Sequence, residues 1–239
     1  MTVTTDRAER TTTSAVLPTD GAISVARPLP ARGVAILGGL WADRIRTNRE
    51  RSMAHGYAQL GHAGNLTNFR LAAGAKGTYQ ALGAPMGLVF PFLDTDVYKW
   101  LEAVGWELGR GPDPALASRA DDVIALIEAA QRPDGYLNTY VQVVGGGQPY
   151  RDLQWGHELY CFGHLVQAAI AWHRSIGDDR LLEIALRAVA TVEAELGPGG
   201  RDGIDGHPEF EMALVELYRT TGERRHLELA RRMVDLRGA

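Results

Sequence analysis

Trp172-His-Arg-Ser-Ile-Gly-Asp-Asp-Arg-Leu-Leu-Glu-Ile-Ala-Leu-Arg-Ala-Val189 and Leu217-Tyr-Arg-Thr-Thr-Gly-Glu-Arg-Arg-His-Leu-Glu-Leu-Ala-Arg-Arg-Met-Val234 are two copies of one unit, offset by 45 residues. Laid over each other they agree at eight of eighteen positions, among them Arg174 with Arg219, Gly177 with Gly222, Arg180 with Arg225 and Arg187 with Arg232. Each copy carries apolar residues at helical spacing beyond a glycine, the pattern of two helices joined by a tight turn. Such a unit cannot bury its apolar face alone, so its repetition requires hairpins to stack into an open solenoid or a closed ring.

The same pattern runs upstream. Val97, Trp100, Leu101, Val104 and Leu108 make one face of a helix over Thr95–Leu108, with Asp94 or Thr95 placed to cap it. Asp113-Pro114 opens a second helix, in which Leu116, Ala120, Val123, Ile124 and Ile127 recur until Pro133 ends the run. Further helices are expected over Gly156–Ser175, Asp179–Leu196, Pro208–Thr221 and Glu223–Leu236. A less regular one over Trp41–Leu60 ends at Gly61 or Gly64. Pro133-Asp-Gly-Tyr136 reads as a tight turn, and Gly145–Gly147 as a break. Ahead of the helices, Ile23, Val25, Val34 and Ile36 lie among Pro28, Pro30 and Gly38 and predict one or two short strands. Residues 1–20, rich in Thr and Ser, read as a disordered lead-in to an all-α domain over 21–239.

The totals exclude several functions. Twenty-five basic and 29 acidic residues, interspersed and summing to −4, offer no extended positive field for nucleic acid or anionic lipid. No apolar run has the length of a bilayer span or a signal-peptide core. The single cysteine, Cys161, rules out an intrachain disulfide and an all-cysteine metal cage, and fits a reducing, cytoplasmic setting. Phosphate-binding P-loops, G-x-S-x-G elbows and dinucleotide-binding glycine fingerprints are absent from the sequence.

What remains is a set of His, Asp, Glu and aromatic residues at helix starts. In His157-Glu-Leu-Tyr-Cys-Phe-Gly-His164 the spacing puts His157, Cys161 and His164 on one helix face, with Glu158 about a quarter-turn away. That trio has the donor chemistry for Zn²⁺, but it departs from H-E-x-x-H at Cys161, and packing of Cys161 and His164 inside the hairpin is the favoured reading. His157, in the first turn, is expected to face a ligand beyond the helix end. His207, beside Pro208 at the next helix start, is a second such imidazole, with Glu209 and Glu211 complementing the dipole. Asp94 and Asp96 open the Thr95–Leu108 helix. Asp94 is read first as its cap, while Asp96 or Lys99 is placed to hydrogen-bond a sugar hydroxyl. Tyr136, in its turn, offers a ring suited to stacking on a furanose. His157, His207, Asp94, Asp96, Glu158 and Tyr136 are the candidate sugar-binding residues, a mixture that suits an uncharged polyhydroxylated ligand.

Six blocks together resemble glycoside hydrolase family 127, the β-L-arabinofuranosidases: Trp41–Arg44, Asn68–Gly74, Asp94–Val104, Gln131–Tyr140, His157–His164, and Gly206–Glu211 running on to the Leu217–Gly222 turn. The resemblance implies a six-hairpin (α/α) toroid of which this chain carries about half, so that an apolar patch is expected where the other half would meet it. It implies that His157 and His207 face a sugar in the central pocket. In the family, hydrolysis is retaining, with a zinc-bound cysteine proposed as nucleophile and a glutamate as acid/base. Those residues lie beyond the region matching Ala239, and Cys161 is not their counterpart. The resemblance thus implies no cofactor held by this chain, zinc bound by downstream residues, and an L-arabinofuranose-containing carbohydrate as ligand, with a second polypeptide as a possible completing partner. The alternative is a non-catalytic carbohydrate-binding or scaffold protein on the same fold.

Overall fold

The computed structural model describes residues 14–16, 18–19, 21–23, 26, 28–29, 33–81 and 89–238. Among them every regular element is a helix. Among the described residues the predicted N-terminal strands do not form: Ile23, Val34 and Ile36 lie in non-strand backbone and are exposed, while Val25 falls outside the described residues. A strand needs a partner for its amides and an apolar layer for its side chains, and these residues have neither.

The chain runs through α1 (Gly39–Thr47), a π-helical turn (Asn48–Ser52), α2 (Met53–Ala63), α3 (Asn65–Ala72), α4 (Asp94–Arg110), α5 (Pro114–Ala130), α6 (Thr139–Val143), α7 (Glu158–Ile176), α8 (Arg180–Leu196), α9 (Glu209–Thr221) and α10 (Arg224–Arg237). Gly64, at φ +90, stops α2 and starts α3. Asp113 caps α5 by accepting from the Leu116 amide at 3.1 Å, with Pro114 at the first helical position as the sequence predicts. The repeat is two hairpins, α7–α8 and α9–α10, turning at Gly177 (φ +74) and Gly222 (φ +76).

Three helices form an inner row. Along α4 and α7, Lys99 meets Tyr160, Gly105 meets Trp172, and Gly109 meets Ser175, so the two run parallel. Along α7 and α9, Gly163 meets Glu209 and Arg174 meets Glu216, so α9 runs the same way. Glycine is required at these crossings: a Cβ on Gly109 would stand 2.6 Å from Ser175 Cβ, and one on Gly163 2.6 Å from Glu209 Cγ. The row starts, at all three N-termini, on one end of the molecule.

The outer row is α5, α8 and α10, stitched by the repeated arginines. Arg180 on α8 binds Asp121 on α5, and its counterpart Arg225 on α10 binds Glu193 on α8. Arg187 donates to Gln131, just past α5, and its counterpart Arg232 donates to the Leu196 carbonyl that ends α8. The recurring arginines therefore join each hairpin to the one before it, as the unit's inability to stand alone demands.

This two-row stack is an arc of an (α/α) toroid. Its first helix, α1, has no buried residue and exposes Leu40 and Trp41, with Leu37 just ahead of it; on the last hairpin Met212 and Val234 are exposed. These are individual exposed side chains on the first helix and the last hairpin. Most of the lead-in expected over residues 1–20 lies outside the described residues. Ser14 and Ala15, which are described, lend their carbonyls to the Arg174 guanidinium.

Candidate sugar-binding rim

The starts of α4, α7 and α9 bring together residues far apart in sequence. His157 sits at φ +54, an uncommon left-handed setting for a non-glycine residue, with its Nδ1 2.7 Å from the Trp155 carbonyl. Its ring lies 5.2 Å from Phe92, at the head of α4, and 5.8 Å from Tyr160, one turn along α7. Tyr160 is in turn 4.5 Å from His207 and 4.7 Å from His164. Phe92, His157, Tyr160 and His207 thus make a continuous aromatic wall along one end of the inner row. The two histidines singled out from sequence stand on the same end, linked through Tyr160.

Asp96 is exposed at the α4 end of this wall and accepts from Asn65 Nδ2 at 3.1 Å. Asp94, Glu158 and Tyr136 lie beneath it, buried and bonded within the chain. The Glu158 carboxylate accepts from the Tyr136 hydroxyl and from the Tyr150 amide at 2.8 Å, and burial raises its pKa. Tyr136 is therefore a strut holding the Pro133–Tyr136 turn to the start of α7. Asp94 does not cap α4; Leu93 occupies the cap position, and the Asp94 carboxylate accepts from the Thr139 amide at 2.8 Å and the Thr139 hydroxyl.

Asp205 and Tyr160 were not singled out as site residues from the sequence. Asp205, buried, accepts from the Leu159 amide at 3.0 Å, the Tyr160 amide at 3.2 Å and the His207 amide at 2.9 Å. One carboxylate so caps α7 across 46 residues and fixes His207 relative to His157 and Tyr160. A cap supplied by a distant loop has no local sequence signal. Tyr160 had one, its place between His157 and His164, where the metal pattern drew the reading to the residues either side.

On the inner face below the rim, His164 Nδ1 stands 3.6 Å from Glu209. Burial, then Lys99 and His207, lowers the His164 pKa to about 4, while burial raises that of Glu209. The imidazole is neutral at pH 7 and is not an ion-pair partner there. Among the described residues no three His, Cys, Asp or Glu side chains are grouped to hold a metal ion, and Cys161 is buried with its thiol toward the Pro91 carbonyl at 3.8 Å. His157, Cys161 and His164 are thus not drawn together as a ligand group. No helix among the described residues is long and apolar enough to cross a membrane.

Burial pushes the Asp94 carboxyl up from 3.8 to about 6. Between those values the folded chain holds a proton the unfolded chain has released. The resulting stability is fully present below about pH 4 and lost as pH rises through about 6, a difference of about 3 kcal/mol. Asp94→Asn keeps a neutral group able to accept from the Thr139 amide and donate to its hydroxyl. Urea denaturation at pH 4.5 and 7.5 is expected to show wild type losing stability relative to this variant as pH rises; parallel profiles would show the carboxyl is not held neutral.

Residues 33–239 match the family model described as β-L-arabinofuranosidase, GH127 catalytic domain. The chain is 42% identical over 158 residues to the non-reducing end β-L-arabinofuranosidase of Bifidobacterium longum subsp. longum, a match covering 64% of this chain and 24% of that protein. It superposes on a GH127 β-L-arabinofuranosidase from Geobacillus stearothermophilus T6 with a TM-score of 0.79 and 36% identity, covering 86% of this chain and 33% of that one. A second solved GH127 β-arabinofuranosidase gives a TM-score of 0.79 at 32% identity, over 88% of this chain and 34% of the other. The chain thus spans about a quarter of the curated relative and a third of the solved ones. With the family model covering the whole of its helical arc, the chain belongs to glycoside hydrolase family 127.

Proposed function

We propose that this chain forms the sugar-binding arc of a glycoside hydrolase acting on non-reducing-end β-L-arabinofuranosides, in carbohydrate metabolism. The observation that carries the reading is the convergence of His157, Tyr160 and His207 at the common N-terminal end of the inner helices, in a chain of this family. Imidazoles and a phenol supply both donors and acceptors to hydroxyls, and their rings supply apolar contact for a furanose face. The ligand is an L-arabinofuranose-containing carbohydrate. The reading gives this chain the binding role and leaves the acid/base glutamate and zinc-bound cysteine implied by the family to residues outside it, on further sequence or a second polypeptide. A cytoplasmic setting is part of the same reading, supported by a lone buried thiol that needs no oxidising compartment.

Calorimetry with L-arabinose at millimolar concentration is expected to give binding heat for wild type, and a loss of about tenfold in affinity for His157→Ala, the equivalent of one hydrogen bond. No heat from wild type would overturn the proposal. An aryl β-L-arabinofuranoside is expected to turn over at background; binding without turnover separates the binding arc from a complete catalyst, and turnover well above background would place the chemistry inside this chain.

A further inference from the structure

At the centre of the rim Lys99 on α4 reaches across to α7, its ammonium 2.9 Å from the Tyr160 hydroxyl oxygen. The same nitrogen is 5.2 Å from the centre of the Tyr160 ring. It is far closer to the oxygen than to the ring face, so the contact is a hydrogen bond at the phenol and not a cation over the π system. An ammonium has only donors. The Tyr160 oxygen must therefore be the acceptor, which turns its own O–H proton away from Lys99.

Nothing among the described residues receives that proton. The hydroxyls of Tyr136 and Tyr150, on the same end of the molecule, are engaged with Glu158 and Thr191. Tyr160 is half-buried and Lys99 exposed, so the pair borders the open side of the wall. A hydroxyl that accepts from a cation is polarised and becomes a stronger donor. Around it, His207 and His164 stand within 5 Å ring to ring, and His164 is neutral at pH 7.

Resting on the sugar-binding reading above, we infer that the Tyr160 hydroxyl is a hydrogen-bond donor to an oxygen of the bound sugar, with Lys99 as the positioning residue that fixes its direction. The matching ligand feature is a neutral oxygen acceptor, a hydroxyl or ring oxygen, held between the two helix-start imidazoles. The pair adds a directed donor to a wall otherwise built of imidazoles and rings, and so is a determinant of sugar orientation.

The test is calorimetry with L-arabinose on wild type, Tyr160→Phe, Lys99→Met, Lys99→Arg and the Tyr160→Phe/Lys99→Met double variant, with thermal melts to show each is folded. Tyr160→Phe removes only the hydroxyl and is expected to weaken binding about tenfold at an unchanged melting temperature. Lys99→Met is expected to weaken it several-fold and Lys99→Arg to restore it, an outcome that a purely structural lysine would not produce. The double variant should bind as Tyr160→Phe does, since both changes act through one O–H. Wild-type affinity in Tyr160→Phe, or losses that add in the double variant, would overturn this inference alone. Absence of binding by wild type would remove the underlying reading and this inference together.

Discussion

Truncating Trp172 to alanine is expected to lower the unfolding free energy by about 3–5 kcal/mol, the range for deleting a large aromatic from a packed interior. Trp172 is among the largest fully buried side chains and lies on the seam between α7 and α4. Its indole N–H donates to the Leu101 carbonyl at 2.8 Å, and its Cδ1 lies where a Cβ on Gly105 would come within 3.0 Å. The missing side chain at Gly105 is thus the space the indole fills, and neither helix can close on the cavity that alanine would leave without moving its neighbours. Trp172→Phe retains most of the buried area and forgoes the hydrogen bond, so a smaller cost of about 1–2 kcal/mol is expected. Urea unfolding of both variants checks the order. A loss below 1 kcal/mol in Trp172→Ala would show that the seam does not hold the inner row together.

The seam matters for function because the rim residues are the starts of helices that it packs together further down the row, adding to the local ties that Asp205 and Lys99 make at the rim itself. This division explains what the sequence could disclose. The helices around that seam were legible from periodicity, Thr95–Leu108 against the observed Asp94–Arg110 and Asp179–Leu196 against Arg180–Leu196, because amphipathic spacing is a local property. The repeat disclosed the hairpins, and the function of its arginines became visible only when Arg180 and Arg225 met carboxylates on the preceding outer helix. At the rim, His157 and His207 were legible as helix-start imidazoles. Asp94 was misread as a cap because its real partner, Thr139, is 45 residues away, and the capping reading needed only its neighbours. Asp205 was missed for the same reason. The N-terminal strands were expected from β-branched residues set among prolines and glycine, a propensity that counts only where a partner strand pairs with it, and none does so among the described residues.

Arg174→Met is expected to cost about 3–5 kcal/mol, on the opposite side of α7 from the Trp172 seam, because it leaves a buried carboxylate short of a counter-charge. Both terminal nitrogens of Arg174 donate to Glu216 Oε2 on α9 at 3.0 Å, one also reaches Thr220 Oγ1 at 2.8 Å, and the other reaches the Ala15 carbonyl at 2.9 Å. The repeat-related Arg219 binds the second Glu216 oxygen, but it is exposed at the α9 surface. It cannot replace the contacts that the buried guanidinium makes with α9 and with residues 14–15. A second change separates the value of the pair from the penalty of breaking it: Arg174→Met with Glu216→Gln removes both charges and is expected to regain most of the loss, since a buried ion pair is often near-neutral against uncharged residues of similar size. Chemical denaturation of the single and double variants measures this directly. If the double variant is as unstable as Arg174→Met, the cost lies in lost packing and in the released residues 14–15, and the unpaired carboxylate is not its source. Sugar affinity of the folded single variant is expected to stay within about twofold of wild type, because the pair is near the C-terminal end of α7 and the rim is at its start.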